Sequence, residues 1–122
     1  MTKLRYEQTT DDLHAIRCKL AAPTCWTKNE FAKTSGGLST QPRSPAAVCW
    51  CLTGAAIAVC GPDTKRYDDI ILALARGIGV LPEDDLEAQV QIWNDSDMTG
   101  HEDVIDLLDR EIAYRRRRRV LR

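Results

Sequence analysis

The sequence predicts an all-α domain: a compact bundle of four main helices around a central apolar helix at about 45–60, with short helices besides. Three observations predict it. Apolar residues recur at helical spacing in one segment after another. No stretch alternates apolar and polar residues as a half-buried strand would. Pro23, Gly61-Pro62, Gly77 or Gly79, and Pro82 punctuate the chain where those segments end. At 122 residues, 43% hydrophobic and 29% charged, the chain has the size and balance of one globular domain.

In chain order, TDDLHAIRCKLAA (10–22) reads as the first helix. Leu13, Ile16 and Leu20 share a face, Thr10 or Asp11 caps the start, and Pro23 stops it. A short helical turn is expected around Trp26 and Phe31. Residues 34–44, TSGGLSTQPRS, read as a loop. SPAAVCWCLTGAAIAVC (44–60) reads as the core helix, capped by Ser44 with Pro45 in its first position, and with Trp50 in the core. DTKRYDDIILALARGI (63–78) follows, with Tyr67, Ile70, Ile71, Leu74 and Ile78 on its buried face. A short helix at about 83–93 carries Leu86, Val90 and Trp93. The last helix starts near Thr99, with Val104, Leu107, Leu108 and Ile112 inward.

Charge divides the chain into a body and a tail. The last eight residues, RRRRRVLR, hold six arginines: Arg115, Arg116, Arg117, Arg118, Arg119 and Arg122. Taking those six from the 17 basic residues leaves 11 against 18 acidic ones, so the net charge of −1 becomes −7. The expected division is a helical domain at 1–114 and a mobile, solvated tail at 115–122, because like charges at i, i+4 repel in a helix. No run approaches the ~20 apolar residues of a membrane span. With no apolar leader either, a cytoplasmic protein with no membrane partner is expected. Five cysteines, odd in number and without a CxxC pair, read as buried thiols rather than disulfides or a zinc site.

WNDSDMTGHEDVIDLLD (93–109) poses the one question about a metal. Asp95, Asp97, Thr99, Asp103 and Asp106 fall at ligand positions of a calcium loop, with Gly100 at the turn. Against that, position 12 is Asp rather than Glu, position 8 is the charged Glu102, and no second loop exists to pair with it. Thr99-Gly-His-Glu102 is also a capping box, with the Thr99 hydroxyl bonded to the Glu102 amide. That reading is preferred, so no metal and no cofactor is expected.

Three strings together resemble a known family. They are Leu20-Ala21-Ala22-Pro23 running to Trp26-Thr27, then Ala47-Val48-Cys49-Trp50-Cys51-Leu52-Thr53-Gly54-Ala55, then Trp93-Asn94-Asp95 followed by Thr99 and an amphipathic helix. They are similar to an uncharacterised family of small bacterial and bacteriophage proteins, a domain of unknown function. The resemblance covers roughly residues 13–112. It implies a helical domain with no established activity, and it supports Thr99 as a cap.

Three classes of function remain. The first is a small non-catalytic interaction protein with a protein partner, such as a phage-encoded inhibitor of a bacterial defence enzyme. Trp26 and Trp93, at element ends, with Asp95 and Asp97, are its candidate contacts. The second is nucleic-acid binding through the arginine tail. The third is an enzyme using His14 or His101 with Cys49 or Asp95. No nucleophile motif or phosphate loop supports it, so a non-enzyme is expected.

Overall fold

The computed structural model describes residues 4–120, with side chains through Arg118. The element order is α1 (Arg5–Lys19), a 3-10 turn (Pro23–Cys25), β1 (Ala32–Thr34), β2 (Ala47–Trp50), α2 (Leu52–Cys60), α3 (Thr64–Ile78), α4 (Leu86–Asp95) and α5 (His101–Val120). The protein is therefore mostly helical with a small sheet, not all-α. The two strands run antiparallel and pair Ala32 with Trp50 and Lys33 with Cys49. The core is drawn from every α-helix: Leu13, Ile16 and Leu20, then Leu52 and Ala55, then Ile70 and Leu74, then Val90, then Val104, Leu107 and Leu108, all fully buried. α1 packs against α2, α3 and α5, and α3 against α2, α4 and α5. No helix of the described residues is long and apolar enough to cross a membrane.

α1 starts five residues before the expected cap. Thr10 lies inside the helix, and its hydroxyl donates to the Tyr6 carbonyl at 3.0 Å. Leu4 occupies the capping position and offers no side-chain bond. The extra turn is held from outside instead. Arg5 donates two 2.7 Å bonds to Asp69 of α3. The Tyr6 hydroxyl donates to the Arg115 carbonyl of α5 at 3.1 Å.

The expected core helix at 44–60 is two elements. Ala47–Trp50 is strand β2, and only Leu52–Cys60 is helical. Ser44 does not cap a helix; its hydroxyl accepts from the Ala46 amide in a local turn at 3.1 Å. The cap of α2 is Cys51, whose sulfur accepts from the Gly54 amide at 3.3 Å. Trp50 is half-buried rather than in the core. Its indole N–H donates to the Pro42 carbonyl at 2.9 Å, and the Lys19 ammonium lies 4.0 Å from the ring centroid. α2 itself is the most buried helix, as its composition requires, with Leu52 through Ala56 all buried. The turn expected around Trp26 and Phe31 is shorter than that, a 3-10 turn before Trp26, and Phe31 leads into β1 with half its surface exposed.

α3 and α4 follow the sequence closely. Asp63 caps α3 through a 3.1 Å bond from the Arg66 amide, and Gly79 ends it at φ 98, a left-handed position that suits glycine. Asp85 caps α4 in the same way.

α5 continues through Val120. Arg115, expected as the first residue of a solvated tail, is only 7% exposed. Its guanidinium stacks 4.0 Å from the Tyr6 ring centroid and donates to the Thr10 hydroxyl and the Tyr6 carbonyl. The residue belongs to the packed body, which the spacing of the arginine run conceals. Arg115→Ala is therefore expected to cost roughly 1–3 kcal/mol. Arg116→Ala and Arg117→Ala, at exposed positions, should stay within about 0.5 kcal/mol. Urea denaturation of the three variants checks this, and equal stabilities would place Arg115 outside the body.

Candidate functional site

Three segments far apart in the chain meet at one fully buried side chain, Asn94. It lies in the last turn of α4, where Gln91 and Asp95 are its neighbours along the helix. Its carbonyl oxygen accepts from the Trp26 indole N–H at 2.8 Å and from the Leu52 amide at 3.1 Å. Its amide group donates to the Thr27 carbonyl at 3.2 Å and to the Asp95 carboxylate at 2.9 Å. Both lone pairs and both hydrogens are used. Leu52 is the first residue of α2, so its amide has no partner within its own helix. Asn94 thus caps α2 from α4 while fixing the Trp26-Thr27 segment.

The surrounding polar groups extend this hub. Asp95 accepts from the Asn29 amide at 2.9 Å and from the Gln91 side chain at 3.0 Å. Asn29 sits at φ 67, a left-handed position that asparagine tolerates better than most residues. The Gln91 carbonyl oxygen accepts from the buried Thr53 hydroxyl, and Cys51 contacts it at 3.6 Å. Lys28 donates to the Ser96 carbonyl at 2.6 Å, closing the same edge. Among the described residues, no buried side-chain polar atom lacks a partner.

Burial works to raise the Asp95 carboxyl. The Asn29 amide and the Asn94 and Gln91 side chains together outweigh it and hold the group below its ordinary value. A carboxyl depressed in the folded state contributes stability that is complete above its unfolded pKa. That stability is lost as pH falls through the folded pKa. Stability should therefore decline below about pH 4, and Asp95→Asn should flatten that part of the profile. Thermal melts across the acid range test this; an unchanged acid limb would remove Asp95 from the explanation.

The candidate partner residues divide. Trp26 is half-buried, with its N–H committed to Asn94 and the Lys28 ammonium 5.5 Å over its ring. Trp93 is half-buried against the core. Asp95 is held as described, and Asp97 alone of the four is exposed. The calcium-loop residues are likewise turned to separate tasks. Asp103 accepts from the Gly100 amide at 2.8 Å, and Asp106 pairs with Arg110 at 2.7 Å. The cap of α5 thus belongs to Asp103. Thr99 is buried and lies one residue before the capping position, which Gly100 takes, its carbonyl accepting from the Asp103 amide at 3.0 Å, so the cap expected at Thr99 is displaced. Among the described residues, no three side chains of metal-ligating type come together.

The residues weighed for catalysis are dispersed too. His101 bonds the Leu20 carbonyl at 2.7 Å, closing the end of α1. His14 is exposed on α1, near Cys18 at 3.9 Å. Cys51 and Cys60 are buried, Cys25 and Cys49 half-buried, and Cys18 exposed. Burial, followed by the nearby Asp12 carboxylate, pushes the Cys60 thiol up to about 11, so it stays protonated and unreactive.

The second half of α5 has a different character. Arg116, Arg117 and Arg118 are exposed. Among the described residues none of them forms an ion pair, and Arg118 meets the Tyr114 hydroxyl and ring. Shallow grooves lie beside these arginines. One is walled by Arg76 of α3 and Tyr114, the other by His14 and Arg17 of α1, and Arg117 borders both. The side chains of Arg119 and Arg122 lie outside the described residues.

Residues 5–114 match the model of a family described as a family of unknown function, DUF6197. The chain belongs to that family. No curated protein and no solved structure gives a match. The DUF6197 region spans the whole hub, from Trp26 through Cys51, Thr53 and Gly54 to Asn94 and Asp95. Those residues come from the strings that carry the resemblance in the sequence, so the strings mark a fold-determining junction. The DUF6197 match ends at Tyr114, immediately before the arginine run.

Proposed function

We propose that this is a non-catalytic interaction protein whose contact surface is the second half of α5, and that its partner is a nucleic-acid backbone. The observation that carries the reading is the row Arg116, Arg117 and Arg118, exposed and without ion pairs among the described residues. Each guanidinium is available to a phosphate, and the flanking grooves add Arg17 and Arg76 at their rims. The hub, by contrast, has its polar groups satisfied internally and offers a partner little. Contacts of this kind position a protein on a backbone without reading sequence.

The test is fluorescence anisotropy with single- and double-stranded oligonucleotides over a range of salt concentrations. Binding should weaken steeply with salt. Replacing Arg116, Arg117 and Arg118 together by glutamine should reduce the salt slope by about three. Salt-independent binding, or the same slope in the triple variant, would sink the reading.

A second reading draws on the other half of α5. Glu102, Asp103, Asp106 and Asp109 are exposed there, with Asp97 nearby in sequence. An acidic face of this kind suits an inhibitor that occupies the basic channel of a nucleic-acid enzyme, as a phage-encoded protein would. Charge reversal at Asp106 and Asp109 would abolish that activity without weakening oligonucleotide binding.

A further inference from the structure

A cleft of about 340 Å³ lies between the start of α1, the middle of α3 and α5. Arg5, Tyr6, Asp69, Leu72, Arg76 and Arg115 line it. Three guanidinium groups thus meet in one depression, and their partners can be counted. Arg5 is paired with Asp69 and Arg76 with Glu111. Arg115 has no carboxylate within ion-pair distance among the described residues. Its two hydrogen bonds go to neutral oxygens, the Thr10 hydroxyl at 3.0 Å and the Tyr6 carbonyl at 3.2 Å. A guanidinium carries five N–H donors, so part of its capacity is unused.

Arg115 is thus a largely buried charge with no ion-pair partner among the described residues, beside an open cleft whose Arg5 and Leu72 face solvent. A buried charge stacked on an aromatic ring and bonded only to neutral groups gains from an anion brought beside it. Asp69 and Glu111 are already paired with Arg5 and Arg76, so an incoming anion would find Arg115 without a carboxylate partner among the described residues. The walls favour an apolar body for that anion: Leu72 is 55% exposed, and the Tyr6 ring and Ala73 lie alongside.

We propose that this cleft binds a small ligand through a monoanionic oxyanion group, a carboxylate or a phosphodiester, carried on an apolar body, with Arg115 as the counter-charge. The cleft shares Arg76 with one of the flanking grooves, but Arg116, Arg117 and Arg118 do not line it and the proposal does not depend on their role.

The experiment titrates the full chain with benzoate at constant ionic strength and follows backbone amide resonances by NMR. Saturable shifts centred on Thr9, Leu72 and Ala73 are expected, with none from neutral benzamide. Leu72→Glu sets a negative charge on the cleft wall at an exposed position and should weaken benzoate about tenfold. Arg115→Lys keeps the charge but loses the planar fork, and should also weaken it wherever the spectrum shows a folded chain. Diphenyl phosphate forms the second arm, and the tighter of the two anions identifies the oxyanion. The proposal is overturned if benzamide shifts the same resonances as strongly, if neither anion saturates, or if Leu72→Glu binds benzoate as the original chain does. Oligonucleotide binding by Leu72→Glu should persist, so failure here and failure of the nucleic-acid reading are told apart.

Discussion

Gly54→Ala is expected to destabilise the protein by about 3 kcal/mol or more. Alanine is ordinarily the better residue inside a helix by about 1 kcal/mol, so the expected effect has the opposite sign to propensity. A Cβ at position 54 would stand 1.9 Å from the Phe31 carbonyl oxygen and 2.7 Å from its carbon. Those are backbone atoms leading into β1, and they cannot swing aside as a side chain can. The same oxygen accepts from the Cys51 amide at 3.3 Å, so relieving the clash would break the junction of sheet and helix. Gly100→Ala is the control. Its nearest neighbour is a carboxylate oxygen at 3.8 Å, so only the ordinary penalty of alanine at a capping position, about 1 kcal/mol or less, is expected. Urea denaturation measures both. A cost below 1 kcal/mol at position 54 would show that the strand sits farther from α2.

Asn94→Leu should cost roughly 3–5 kcal/mol, although the two side chains are of similar size and the site is fully buried. Leucine leaves the Trp26 indole N–H, the Leu52 amide and the Thr27 carbonyl without their partner. Each buried group left unsatisfied costs about 1–3 kcal/mol. Tryptophan fluorescence should report the loss directly, since Trp26 changes its environment when its N–H is released. A neutral or stabilising Asn94→Leu would mean that water already serves these groups.

The span of α3 could be read from the sequence almost to the residue, because its apolar spacing and a glycine stop agree, while the choice of Gly79 over Gly77 and the Asp63 cap come from the structure. The 44–60 segment could not. A short apolar run fits a buried helix and a strand equally well, and the arbiter, pairing of Ala47–Trp50 with Ala32–Thr34, lies in another part of the chain. The first turn of α1 was hidden for a related reason. Arg5 to Thr9 carries little apolar pattern, and its support comes from Asp69 and Arg115, far away in sequence.

In the hub, the sequence reads Asn94 as a turn residue beside Asp95 and Ser96, whereas the structure places it fully buried in the last turn of α4. A signal was present all the same. Leu86, Val90 and Asn94 stand at i, i+4 and i+8, so a polar amide occupies the apolar stripe of α4. An asparagine in that position has to find partners inside the protein. Which partners it finds depends on the loop at Trp26 and the start of α2, and no spacing rule encodes that.

α5 spans about 30 Å. Its acidic residues gather at its start and its arginines at its end, an arrangement that also suits the helix's own dipole. The consequence is rotational. In the field of a highly charged surface, a molecule of near-zero net charge feels little pull on its centre but a real torque about it. This protein would turn before it touched, presenting the arginine end to a polyanion and the opposite end to a polycation. The bias acts over about a Debye length, roughly 8 Å in physiological salt. It would show as an encounter rate that depends on ionic strength even though the molecule as a whole is almost uncharged.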